Sequence, residues 1–381
     1  MPSFRRAFRL FRVFGVSVYL DYSWFLFFFL VVWTFGRFYF PQQYPALDAT
    51  AAWLYAVIAA ILLFAAVTFH EMSHAVTSNR LGFPIQRITL FIFGGVAHLK
   101  SEPDNPKTEF LVAAAGPISS LVLWIAFTIA AMVAQTFGAG APVGLFILIA
   151  QLNLALAVFN LVPGFPLDGG RLLRAVVWWK SGSLKKATNI AAKCGEAFAY
   201  ILMFFGVATF FLDPRSGWIS GIWYILIGVF LKNAAEQSYQ HVLLEEFLEG
   251  VPVSEIMGSA VMAVSSRESL EELIEEKFLH HKFPAYPVID GEGRVVGLVD
   301  VESVKAVPRE ERERRSVGDV MTALPQTQLP RPTTRALDAL REMLSLGLVR
   351  LPVVDETGHL AGLVTRGDIM SMFQIRSDLV V

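Results

Sequence analysis

Six apolar runs, each about long enough to cross a bilayer, constrain the fold of this chain more than any other feature of its sequence. A hydrocarbon layer is spanned by ~20 apolar residues, and inside it the backbone finds partners only in itself, so such runs fold as helices. The expected spans are 22–40, 52–79, 109–135, 143–163, 188–212 and 217–235, with polar ends of the second and third projecting beyond the lipid. Composition agrees: 54% hydrophobic residues, 17% charged residues and a mean hydropathy of +0.51 are far from a soluble balance. Phe14–Tyr22, with small and β-branched residues around Gly15, reads as a short strand or hairpin. A net charge of −1 gives no overall field for nucleic acid, so no direct nucleic-acid partner is expected. The single cysteine, Cys194, excludes an internal disulfide framework. Asp21 interrupts the first apolar stretch, which lacks a small-residue cleavage site and does not read as a cleavable signal peptide.

The Lys/Arg distribution sets an expected orientation. Arg5, Arg6, Arg9 and Arg12 precede the first span; Arg80, Arg87, Lys100 and Lys107 follow the second; Arg171, Arg174, Lys180, Lys185 and Lys186 follow the fourth. The opposite loops hold only Arg37 and Arg215. Basic loops stay cytoplasmic. The expectation is a multi-pass protein of the cell (cytoplasmic) membrane, embedded in the lipid bilayer, with both termini in the cytoplasm.

His70-Glu71-Met72-Ser73-His74 lies near the end of the run that opens at Ala51. Helical residues four apart sit about 40° from each other around the axis and about 6 Å apart along it. His70 and His74 can therefore present imidazoles to one metal ion, with Glu71 close enough to exchange a proton beside it. Ionisable groups at membrane depth are costly and usually functional. A catalytic zinc site normally takes three protein ligands. Asp168, in Asn160-Leu161-Val162-Pro163-Gly164-Phe165-Pro166-Leu167-Asp168-Gly169-Gly170, is the best remaining candidate, and a helix N-cap at a cytoplasmic turn is its equal alternative. Pro163 and Pro166 stop the fourth span, and broken backbone at membrane depth must be buried in protein or line a wet cavity. His98 is an extra candidate ligand.

From about Val251 the chain becomes soluble in character and repeats itself. Val253-Ser254-Glu255-Ile256-Met257 recurs as Val317-Gly318-Asp319-Val320-Met321, Pro287-Val288-Ile289-Asp290 as Pro352-Val353-Val354-Asp355, and Gly297-Leu298-Val299 as Gly362-Leu363-Val364. Each unit reads as an amphipathic helix, two short strands around a turn, and a further helix. This pattern resembles a tandem CBS pair, which implies adenine nucleotide (ATP or AMP) as a candidate ligand and a homodimer through the CBS domains as a candidate assembly. Thr365 and Asp368 match the usual ribose and phosphate positions, with a helix N-cap and first-turn acid as their alternative. The first repeat departs, with Asp300 and Ser303 at those places.

The two membrane motifs together, with Phe93-Gly94-Gly95-Val96-Ala97 and Ala115-Gly116-Pro117, resemble the site-2 protease family of intramembrane zinc metalloproteases over residues 14–235. The resemblance implies one Zn2+ per chain on His70, His74 and Asp168, Glu71 as catalytic acid/base, and Asn160 assisting substrate or oxyanion. It also implies a membrane-anchored protein substrate, such as a transcription or sigma factor precursor or an anti-sigma factor. Leu90–Leu99, containing Gly94 and Gly95, reads as a membrane-inserted hairpin or edge strand able to take up substrate by strand addition. The expected fold is a polytopic α-helical membrane protein of about six transmembrane helices with a small membrane-associated β-sheet, plus a soluble α/β tandem CBS domain. Its expected divisions are 1–236 (membrane domain), 237–250 (linker helix), 251–310 and 311–381 (CBS repeats). A CBS-gated transporter or channel and an inactive nucleotide-sensing receptor are the rival readings; neither accounts for Glu71 between two zinc-spaced histidines.

Overall fold

A computed structural model describes residues 7–92, 94–99, 103–138, 140–212, 217–281 and 283–380. Arg5, Arg6, Phe93, Lys100 and Arg215, all used in the sequence reading, lie outside the described residues, and His98 is described by its backbone alone. The chain divides into two units, Met1–Gln240 and His241–Val381.

The first unit opens on the hairpin β1 (Ala7–Val13) and β2 (Val16–Asp21), turning at Phe14-Gly15. Helix α1 (Ser23–Gln43) and helix α2 (Ala49–Arg80) follow, the latter started by the Asp48 carboxylate, which accepts from Ala51 N at 2.7 Å. Strands β3 (Ile85–Phe91) and β4 (Gly94–Leu99) form a second hairpin, and β3 pairs in parallel with β2. The sheet order is β1-β2-β3-β4, which leaves β4 at an edge. Alternation decides which face is inside: Val16, Val18 and Leu20 of β2 join Ile88 and Leu90 of β3 against Met72 and Ala75 of α2. The remaining helices are α3 (Pro106–Thr136), α4 (Gly140–Asn160), α5 (Asp168–Ser181), α6 (Leu184–Leu212) and α7 (Gly217–Leu248).

Among the described residues five helices are long and apolar enough to cross a membrane: α1, α2, α3, α4 and α6. They are apolar outside and small-sided within. Leu26, Phe29, Val122, Ile129, Phe204 and Phe211 are exposed, whereas Ala52, Ala56, Ala59 and Ala60 of α2 are buried against Val31, Val32, Leu148 and Ile149. Small residues let helix backbones approach where lipid offers no hydrophobic drive between helices. The apolar run expected as a sixth span opens α7, and residues 237–248, expected to begin a linker helix, continue α7 without a break.

The second unit holds two cores, and the repeat is visible in each. Strands β5 (Val264–Ser265), β6 (Ala285–Ile289), β7 (Val295–Asp300) and β8 (Thr322–Ala323) make one sheet; β9 (Arg350–Val354) and β10 (Leu360–Thr365) make the other. Val288 of β6 and Val353 of β9 are the equivalent core residues of the two repeats. Both strand pairs turn at an aspartate and a glycine with positive φ: Asp290 with Gly293 at 81°, and Asp355 with Gly358 at 88°.

Candidate metal centre

Three elements far apart in sequence converge on one small space. His70 and His74, one turn apart on α2, are 3% and 5% exposed, and their Nε2 atoms lie 3.3 Å apart. Asp168, the first residue of α5, places Oδ2 3.1 Å from each of them. The three donor atoms thus form a nearly equilateral triangle. A tetrahedral zinc ion with bonds of about 2.0–2.1 Å has donor-to-donor edges of roughly 3.3–3.4 Å. The residues present fit that ion as one face of its tetrahedron, and among the described residues they are the cluster whose donors could hold a metal.

The other ring nitrogens are fixed from α3. His74 Nδ1 lies 2.7 Å from the Val112 carbonyl oxygen, and His70 Nδ1 lies 2.9 Å from Ser120 Oγ. An Nδ1–H donating to a carbonyl leaves Nε2 of His74 with its lone pair toward the centre, the arrangement that a ligating histidine needs. Val112, Gly116 and Ser120 follow one another at four-residue spacing and so share a face of α3. Gly116 is the middle of that face. A Cβ there would lie 2.6 Å from His70 Nε2 and closer still to His74 Nε2, so any side chain would occupy the space between the donors.

Asp168 is held by a crowded turn. Gly164 faces the backbone of Gly195 on α6, Gly169 faces Leu161 and Val162, and Gly170 faces Gly164 and Phe165, each too closely for a Cβ. Phe165 N donates to Ala191 O at 3.1 Å, which satisfies a buried amide of this irregular segment. The first turn of α3 adds a clamp. Glu109, fully buried, accepts from Arg174 Nε of α5 at 2.6 Å and from Arg174 Nη2, with Arg171 Nε at 3.8 Å. Arg174 also stacks over Phe165 at 5.2 Å.

Glu71 points toward β4. A Cβ on Gly95 would lie 2.5 Å from Glu71 Cγ and 2.6 Å from its Cδ, so the bare backbone of Gly95 covers the carboxyl group. Gly94, with φ at 128°, enters the strand in a conformation that favours glycine. Asn160 ends α4 and donates through Nδ2 to Leu156 O at 3.0 Å; no hydrogen bond joins it to the histidines, Glu71 or Asp168 among the described residues. Thr365 and Asp368 sit together at the start of helix α8 (Arg366–Val380), where Thr365 N and Oγ1 donate to Asp368 Oδ2 at 3.0 and 2.8 Å. They form a reciprocal N-cap there. Sequence reasoning missed Val112, Ser120, Glu109 and Arg174. Glu109 carries a signal, an acid inside an apolar span, whereas Arg171 and Arg174 read from sequence only as topological charges.

Residues 58–143 and 134–203 match the model of peptidase family M50, and 253–309 and 317–374 match that of the CBS domain. Rip3 of Mycobacterium tuberculosis, which bears a provisional zinc-metalloprotease name, is 31% identical over 374 residues, 97% of this chain and 94% of that one. A zinc metalloprotease of Methanocaldococcus jannaschii is 28% identical over 97% of this chain and 98% of its own length. Among solved structures, a site-2 protease from Methanocaldococcus jannaschii is similar at 31% identity and a TM-score of 0.44, covering 61% of this chain and 95% of that one. Full-length likeness to such relatives, added to both domain matches, makes this chain a member of peptidase family M50, a zinc metalloprotease of the site-2 protease kind joined to a tandem CBS pair.

Proposed function

We propose that the enzyme hydrolyses peptide bonds in or near transmembrane segments of membrane-anchored proteins, with His70, His74 and Asp168 as zinc ligands and Glu71 as acid/base. The observation that carries this reading is the triangle of donor atoms, 3.1–3.3 Å on each edge, beside a glutamate that adjoins one of the histidines in sequence. When bound, a zinc ion would supply a Lewis acid that lowers the pKa of a water to about 7. Glu71 takes the proton as the water oxygen bonds to the scissile carbonyl carbon, and delivers it to the amide nitrogen as the C–N bond breaks. Val112 O and Ser120 Oγ hold the imidazoles in orientation. Asn160, released from Leu156 O, would hold substrate or the developing oxyanion.

A transmembrane substrate hides its carbonyls in helix hydrogen bonds and must unwind locally. The extended peptide then needs new partners, and the edge of β4 at Gly94 and Gly95, beside Glu71, supports strand addition as their source. The substrate class is a membrane-anchored transcription or sigma factor precursor or an anti-sigma factor, cut from the cytoplasmic side on which the basic loops place both termini. We assign the CBS pair a regulatory role: adenine nucleotide held by Thr365 and Asp368 favours one arrangement of the pair, and its differential affinity shifts the membrane unit's opening equilibrium. Two CBS pairs would dimerise in that role.

Glu71→Gln tests the mechanism. The amide keeps the shape and cannot accept the proton, so cleavage of a membrane-anchored substrate is expected to vanish with zinc content unchanged by metal analysis. Full activity in a zinc-loaded Glu71→Gln protein would reject the assignment. For regulation, calorimetric titration of ATP or AMP into the full chain should show binding that Asp368→Ala weakens; absence of heat at millimolar nucleotide would remove the nucleotide from the reading.

A further inference from the structure

We propose that the outer face of the β1-β2-β3 sheet, with the hairpin tip Phe14-Gly15, binds the headgroup of an anionic phospholipid. The inference rests on the membrane reading and not on the protease reading. Because Val16, Val18 and Leu20 point into the core, Ser17 and Tyr19 point away from it. Register then gathers arginines on that outer face: Arg12 pairs with Ser17, Arg9 with Tyr19, and Arg87 of β3 lies beside Ser17. No ion pair involves any of the three among the described residues. Asp21, the acid of β2, lies at the far end of the strand and accepts from Ser23 N at 3.0 Å.

Arg87 is set in place before any ligand arrives. Its guanidinium carbon is 4.0 Å from the centroid of the Tyr19 ring, and its Nε donates to Thr89 Oγ1 at 3.2 Å. A stacked fork of this kind keeps its outer N–H groups for a planar or tetrahedral oxyanion. Arg12 and Arg87 line one half-open cavity of about 370 Å³ together with Gly15, Ser17, Tyr19 and Gln86, and among the described residues no carboxylate lines it. Two cations and the hydroxyls of Ser17 and Tyr19, with no acid among the described lining residues, suit a phosphate diester.

Phe14 assigns that phosphate to a lipid. The two-residue turn has positive φ at both positions, 49° at Phe14 and 79° at Gly15. Such turns favour Asn-Gly, and a bulky aromatic there is an outlier. Phe14 is 78% exposed, so its ring gives the protein's own core nothing in return for that strain. The tip also sits where an apolar helix ends: Ile85 N, at the start of β3, donates to Asn79 Oδ1 in the last turn of α2 at 2.6 Å. At such a boundary an aromatic ring enters the acyl region while neighbouring arginines stay with the phosphates.

Native mass spectrometry of the full chain in detergent, titrated with phosphatidylglycerol or with phosphatidylcholine of the same acyl chains, tests this. The parent should retain phosphatidylglycerol more tightly. R12Q/R87Q should lose phosphatidylglycerol affinity by on the order of 10–30-fold, as expected for two arginines near an anionic surface, with phosphatidylcholine unaffected. Phe14→Asn suits the turn and keeps the fold, and should weaken both lipids alike. Millimolar inorganic phosphate should leave phosphatidylglycerol bound. Equal retention of the two lipids by the parent, unchanged phosphatidylglycerol affinity in R12Q/R87Q or in Phe14→Asn, or displacement by inorganic phosphate would each overturn the proposal.

Discussion

The polar side chains at and beside the metal site of the membrane unit and the motif aspartates of the CBS unit bond in opposite ways. In the first, they reach across the chain: Asp168 meets His70 from 98 residues away, Ser120 meets His70 from 50, and Arg174 meets Glu109 from 65. In the second, the motif aspartates bond to near neighbours: Asp355 to Thr357 and His359, two and four residues on, and Asp368 to Thr365, three residues back. Burial explains the contrast. Polar groups inside an apolar bundle must find partners or lose several kcal/mol each, and His70, Asp168 and Glu109 take theirs from other helices. At the surface of the CBS unit water satisfies them, and aspartates are free to shape turns and caps.

The comparison breaks most severely at Gly116. Gly116→Val should fill the space between His70 and His74 Nε2, and zinc and activity should both fall below detection while the C-terminal unit keeps its native circular dichroism. Stoichiometric zinc in that variant would show that the donors open away from α3. Ser120→Ala is expected to act more gently. It removes the partner of His70 Nδ1 and leaves all three proposed ligands, so zinc affinity in a chelator competition should drop about 10–100-fold, and Ser120→Thr should recover most of it. An effect on Tm with none on zinc affinity would make Ser120 a packing residue only.

The smallest effect belongs to the surface aspartates. Hydrogen bonds from Thr357, followed by those from the His359 backbone, hold the Asp355 carboxyl below the ordinary carboxylate range. A depressed folded-state pKa stabilises above the unfolded value of about 3.9, and this contribution is lost as pH falls through the lower, folded value. Asp355→Ala should therefore speed hydrogen exchange at the Thr357 and His359 amides at pH 7. Parent and variant should converge as the solution is acidified below about pH 4. A difference that persists at lower pH would point to lost packing instead of lost charge.

What could be read from the sequence follows the same division. Periodic and local signals carried far: the i, i+4 histidines, the Pro-Gly segment before Asp168 and the doubled Pro-Val-x-Asp turn each depend on neighbours in the chain. The Val112, Gly116 and Ser120 face is hidden because its meaning lies in another helix; Ala115-Gly116-Pro117 stands out in the sequence, yet nothing local says that Gly116 faces two imidazoles. The parallel pairing of β2 with β3 was hidden for the same reason, since α1 and α2 intervene. Thr365 and Asp368 show the converse: their spacing suits a ligand and a helix cap equally well, and in the structure they cap.

Gly95 covering Glu71 gives the proposed strand addition a metric. A peptide laid antiparallel along β4 advances about 3.4 Å per residue, so the bond presented to Glu71 is counted from wherever pairing begins. Shifting the peptide by one residue turns every side chain to the opposite face, whereas shifting it by two restores them. The edge would then work as a ruler with two-residue graduations. Alternative cuts in one substrate should fall an even number of residues apart, and a recognition residue moved along the peptide should carry its cut site with it at constant distance.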